Sequence, residues 1–141
     1  QMSAMDASPS VDAAAITPLA LALAAASKAL AADDLAGYQK ALPAMTAAVH
    51  QTGAAHETLM PLAAKLVDGP DIRTARRAFE PFATAVADFA RAAGLHRQGV
   101  VHIFECPMAP VLGTGRWLQT GADLRNPFFG SAMLTCGEEI R

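Results

Sequence analysis

At 141 residues the chain is long enough for one domain with its own hydrophobic core. A net charge of −2 and a pI of about 6.1 leave no basic footprint for nucleic acid. Hydrophobic residues make up 52% and mean hydropathy is +0.25, but much of this is alanine, and no run of about 18 strongly apolar residues marks a membrane span. A charged start followed by an apolar stretch, the mark of a secretory signal, is missing, so the opening Gln1-Met2-Ser3 reads as a mature or trimmed fragment.

Residues 1–15 hold small and polar groups and read as a tail or linker; residues 16–141 read as a single domain. Thr17-Pro18 has the pattern of an N-cap followed by proline at the first helical position, and Leu19, Leu23, Ala26 and Leu30 make one face of a helix ending near Ala32. Asp33-Asp34 suits the start of a second helix, where carboxylates oppose the positive end of the dipole. Leu35, Tyr38, Leu42, Met45 and Val49 form its stripe, Pro43 predicts a kink and Gly53 an end. A third, shorter helix carries Leu59, Leu62 and Leu66 and closes at Asp68-Gly69-Pro70. The fourth is capped by Asp71 and repeats Ile72, Ala75, Phe79, Phe82, Val86 and Phe89 until Gly94, with a bend expected at Pro81.

After Gly99 the texture changes. Val100 to Phe104 is β-branched or aromatic and reads as a strand. Gly113, Gly115, Gly121 and Asn126-Pro127 mark irregular turns, and residues 133–140 suit a second short strand. The expected fold is mainly α, a four-helix up-down bundle with an irregular C-terminal segment containing a small β-hairpin.

That segment, about residues 100–138, holds both cysteines. Cys106 and Met108 are two apart and share a side in an extended stretch; Met133 and Cys136 are three apart and meet on a helical turn. His102 precedes Cys106 by four and shares its face on a strand. Thiolate and thioether together select Cu(I) over harder ions, so Cys106, Cys136, Met133, Met108 and His102 are the candidate ligands of a soft-metal site. On spacing alone a disulfide between Cys106 and Cys136 leads, the metal site comes second and two inert buried thiols third.

Elsewhere the chemistry is thinner. His56 and Met60 stand one helical turn apart, a spacing that ligates metals but also occurs in solvated helix starts. Met2 and Met5 offer soft donors in the tail. Trp117 reads as an anchor for the long loop in preference to a lid over the site. No Gly-x-Ser-x-Gly elbow, phosphate-binding loop or His-Glu-x-x-His is present, and the expected class is not an enzyme.

Cys106-Pro107-Met108-Ala109, Trp117-Leu118-Gln119, Asn126-Pro127-Phe128-Phe129-Gly130 and Met133-Leu134-Thr135-Cys136-Gly137 together resemble the C-terminal signature of a bacterial domain-of-unknown-function family. That domain occurs alone in exported proteins and fused to periplasmic adaptor subunits of copper/silver efflux systems of the CusB type. The likeness extends over roughly residues 16–138, with Ala31-Ala32-Asp33-Asp34-Leu35 and Ala78-Phe79-Glu80-Pro81-Phe82 also matching in style. It implies a periplasmic or otherwise extracytoplasmic domain that binds Cu(I) or Ag(I), with efflux components or a copper chaperone as partners, and raises the metal reading above the disulfide. The alternative it leaves is a disulfide-stapled helical interaction module of an efflux adaptor, meeting its partner through Trp117 and Phe128-Phe129. Family members often carry a polar or histidine residue directly before Cys-Pro-Met; Glu105 stands there in this chain.

Overall fold

The computed structural model describes residues 11–68 and 71–141. Most of the residues read as a tail, Met2 and Met5 among them, lie outside these, as does the Gly69-Pro70 closure of the third helix. The order is α1 (Ala13–Ala31), α2 (Leu35–Val49), α3 (His56–Ala63), α4 (Ile72–Ala92), then β1 (His102–Ala109), β2 (Gly113–Gln119) and β3 (Glu138–Ile140). Short 3₁₀ turns cover Gly53–Ala55, Ala64–Asp68 and Gly130–Met133.

The helices sit close to their sequence signals. Asp34 and Asp71 cap α2 and α4, their carboxylates accepting from Gly37 N and Thr74 N at 2.9 and 2.8 Å. α1 starts at Ala13, earlier than the Thr17-Pro18 signal, and the Thr17 hydroxyl instead donates back to Ala13 O at 2.6 Å. α2 and α4 run unbroken through Pro43 and Pro81. α1 is long and apolar enough by composition alone to cross a membrane, yet it packs on α2, α4 and β2 and buries Ile16, Leu19, Leu23 and Leu30 completely.

The four-helix bundle is not what forms. Among the described residues, four helices combine with a three-stranded antiparallel sheet of order β2-β1-β3, a mixed helix-and-sheet fold. β2 lies on α4 and α1, so these two helices pack against a sheet on one side and other helices elsewhere, while α3 packs chiefly on α4 and α2. β2 is the element that glycine disguised. Gly115 reads as a turn residue but lies in a strand, because a Cβ there would come within 2.9 Å of Ala109 Cβ and 3.0 Å of the Phe128 ring. Its lack of a side chain lets the hairpin settle on the core, where Trp117, Leu118, Ile103 and Phe104 meet α1 and α4 in one apolar cluster.

β1 is the central strand. It pairs His102 through Cys106 with Gln119 through Gly115, and Ile103, Phe104 and Glu105 with Ile140, Glu139 and Glu138. Between Cys106↔Gly115 and Ala109↔Gly113 the register shifts, three steps on β1 facing two on β2, so one extra residue bulges from β1 at Pro107-Met108.

Candidate functional site

Two strands and a turn bring the cysteines together. Cys106 sits on β1 opposite Gly115 with its side chain sealed in the core. Cys136 precedes β3 with one residue between, two before the Glu138 that pairs with Glu105 on β1. The two Sγ atoms are 3.8 Å apart and both thiols are free. Cys136 is partly exposed at a recess of about 210 Å³ lined by Glu105, Pro107, Gly137 and Glu138.

The turn that carries Cys136 is held by buried hydrogen bonds. Asn126 is fully buried and serves three directions: its side-chain N–H donates to Cys136 O at 2.8 Å, its Oδ1 accepts from Phe128 N at 2.8 Å, and its backbone N–H donates to Leu134 O at 2.7 Å. Gly137 then lets the chain press on β1. A Cβ there would come within 2.7 Å of Glu105 O and 3.2 Å of the Trp117 ring, and φ is +134°. A glycine directly after Cys136 is thus what sets the thiol against its partner.

Two charged groups of α4 brace the same region. Arg76 donates to Pro127 O at 3.0 Å, Leu30 O at 2.6 Å and Asp33 Oδ1 at 2.6 Å, joining the end of α1 to the Asn126-Pro127 turn. Asp33 also accepts from Ser131 N, and its carboxyl is held below the usual carboxylate range by the Ser131 hydrogen bond first and the Arg76 bond next. Gly130, at φ +59°, fits between these groups because a Cβ would strike both Asp33 and Arg76. Glu80, 1% exposed, accepts the backbone N–H groups of Val111 and Leu112 and fixes the β1–β2 turn. Gln119 binds the Trp117 indole N–H at 2.8 Å and the Arg125 N–H at 2.9 Å, while its own amide donates to Gly121 O and Asp123 O.

The five candidate ligands fall into three situations. Cys106 and Cys136 meet. Met133 lies one turn before Cys136, whose N–H donates to Met133 O at 3.2 Å, and its side chain is 39% exposed. Met108 does not share the side of Cys106: the bulge breaks the alternation, leaving Cys106 at 0% and Met108 at 62% exposure. His102 is four strand positions from Cys106, about 13 Å along the strand. Its Nδ1 lies 2.8 Å from Glu139 Oε2, away from the thiols. Trp117 is no lid; it is buried, stacked on Phe104 at 5.7 Å and edge-on to Phe128 at 5.3 Å. For the same reason Trp117 and Phe128 are not a contact surface: both are in the core, and only Phe129 of that trio is partly exposed.

Sequence reasoning missed Glu105 and Glu138 as the carboxylates at the recess, and Asn126 and Gly137 as the residues that set Cys136 in place. The signal for the last two was present as Asn-Pro-Phe-Phe-Gly and Cys-Gly. Glu105 is paired with Arg116 Nε at 2.9 Å, and Arg116 also reaches Asp88 at 2.8 Å, so a single guanidinium serves two carboxylates on that face of the recess. Burial, then the hydrogen bond and charge of Cys106, push the Cys136 thiol up from its ordinary value. Among the described residues no group of three or more His, Cys, Asp or Glu side chains assembles for a metal, so the dithiol stands as a two-point site. No protein-family model matches the chain, and no curated protein or solved structure matches it either.

Proposed function

We propose that this domain binds a soft monovalent ion, Cu(I) or Ag(I), through the thiolates of Cys106 and Cys136, and serves extracytoplasmic copper handling, resistance or efflux. The observation that carries the proposal is the 3.8 Å separation of the two sulfurs. At metal–thiolate bonds of about 2.3 Å, two tetrahedral ligands stand roughly 3.8 Å apart, so both sulfurs reach one ion with small side-chain adjustments; a wider two-coordinate angle asks them to part slightly. Soft sulfur ligands favour Cu(I) and its congener over harder ions. The resemblance of the Cys-Pro-Met, Trp-Leu-Gln, Asn-Pro-Phe-Phe-Gly and Met-Leu-Thr-Cys-Gly segments to the efflux-associated domain supports the same assignment.

The residues divide the work. Cys106 supplies a buried, fixed sulfur and Cys136 a partly exposed one through which the ion enters. Met133, one turn away, is the first thioether able to add a third donor. Met108, projecting past the bulge, is placed to receive or deliver an ion in exchange with a partner. His102 has no part in this set. Cys136 must lose its proton to ligate, so affinity rises with pH until that thiol ionises unaided.

Anaerobic titration with Cu(I) against a chromophoric Cu(I) chelator tests the proposal. One tight equivalent is expected, lost in Cys106→Ser and in Cys136→Ser. A Cys106→Ser/Cys136→Ser variant that keeps the equivalent overturns it. A second reading, the disulfide-stapled interaction module, is favoured by the complete burial of Cys106, which hinders ion exchange and suits a staple. A thiol count on metal-free protein in air separates the two: no free thiols supports the staple, two support the ion site.

A further inference from the structure

The corner between α2 and α3 carries a second pair of ligating side chains, apart from the thiols. His50 ends α2 and His56 opens α3. His56 Nε2 lies 3.2 Å from His50 Nδ1, with ring centroids 5.2 Å apart and planes inclined by 43°. The corner beneath them is well anchored. Thr52 is 1% exposed and its hydroxyl donates to Val49 O at 2.8 Å; Val49, Ala55 and Leu59 are each fully buried. Gly53, at φ +64°, lets the chain turn between the two rings.

Two arrangements of imidazoles put facing nitrogens at this distance. One is an N–H···N hydrogen bond, in which one ring donates and the other accepts. The other is a shared cation: with metal–nitrogen bonds of about 2.0–2.1 Å, two tetrahedral ligands stand roughly 3.3 Å apart. The pair therefore already holds its nitrogens at the separation that a bridging ion requires. Imidazole suits divalent ions of the zinc and copper(II) kind, in contrast to the soft thiol pair.

We propose that His50 and His56 form a two-imidazole site for a borderline divalent cation such as Zn(II) or Cu(II). Loading needs one internal change. The N–H between the rings moves to the far nitrogen of its own ring, Nδ1 of His56 or Nε2 of His50, so both facing nitrogens present lone pairs and a neutral pair loses no proton. Water completes the coordination, which keeps the ion exchangeable. Met60, one turn beyond His56, packs partly buried against the core and stays outside the ligand set. The site belongs to the α2–α3 corner and the thiols to the sheet, so each can be emptied without the other.

The test uses the full chain carrying Cys106→Ser and Cys136→Ser, titrated with zinc chloride and followed by long-range proton–nitrogen correlation spectra of the imidazoles. One equivalent is expected to shift the ring nitrogens of His50 and His56 together and to leave those of His96 and His102 unmoved. His50→Ala and His56→Ala should each weaken binding by about tenfold or more, and His102→Ala should leave it unchanged. A His50→Ala/His56→Ala double variant that binds zinc as before overturns the proposal. So does a response centred on His96 or His102, or no ring shift at millimolar zinc.

Discussion

The helical part of this protein and its C-terminal part are held together by different physics. α1 and α4 meet through alanines and large apolar side chains; Ile16, Leu19, Leu23, Phe79, Phe82 and Val86 are all fully buried. The region after residue 100 also has apolar anchors, but its shape is set by a few buried polar groups. Asn126, Gln119 and Glu80 each satisfy several backbone groups of loops that no regular ladder would satisfy. Apolar packing tolerates small adjustments, whereas a buried polar group that loses its partner leaves that partner stranded. The thiol pair lies in the second kind of region, where position is fixed by directional bonds.

Removing an anchor from each region gives the largest effects. Phe79→Ala empties a fully buried site that touches Tyr38 and Phe128, and should cost roughly 3–5 kcal/mol, lowering the urea midpoint for helices and sheet together. Asn126→Ala should cost roughly 2–3 kcal/mol and act more locally. Hydrogen exchange should accelerate over residues 126–137 and β3 while α1 and α4 keep their protection, and Cys136 should react faster with a thiol reagent. If both variants release the same amides, the contrast between the regions fails.

Gly137→Ala sharpens the comparison within the C-terminal region. The added methyl meets the Glu105 carbonyl in a backbone conformation that suits glycine, at a cost of about 1–2 kcal/mol; the larger consequence expected is separation of the two sulfurs and loss of the Cu(I) equivalent. A chelator-competition titration that finds full affinity would show that close approach of the turn is not what positions Cys136.

The smallest effect expected is at Asp33. Its carboxyl is lowered in the folded state, so its contribution to stability is present above the ordinary carboxylate range and is lost as pH falls through the lowered value. Asp33→Asn should therefore lower stability slightly near neutrality and leave it unchanged at low pH, flattening part of the acid limb of a stability–pH curve. An unchanged acid limb would mean that the Arg76 bridge between α1 and the Asn126-Pro127 turn is carried by the Leu30 and Pro127 carbonyls alone.

The same division explains what could be read beforehand. The helices were legible because one-sided burial imposes a period of three and four, because Asp71 caps α4 as expected, and because Asp34 stands at the start of α2 that Asp33-Asp34 marked. β1 was legible as a β-branched run. β2 was not, since Gly113 and Gly115 carry the marks of a turn, and only the packing of Ala109, Phe128 and Glu80 explains a glycine in that strand. Without β2 the sheet vanished from view and a bundle took its place. The meeting of Cys106 and Cys136 was legible under either the metal or the disulfide reading. The positions of Met108 and His102 were not, because a bulge and a carboxylate on another strand decide them.

Pro107 has a consequence beyond its place beside the thiols. β3 covers β1 only from Ile103 to Glu105, so among the described residues the flank of β1 past that point has no ladder partner. A proline there offers no N–H, and the bulge twists the strand away immediately after it. The open flank of the central strand is thereby a poor template for another chain, and the molecule can leave a cysteine beside that flank without inviting edge-to-edge aggregation.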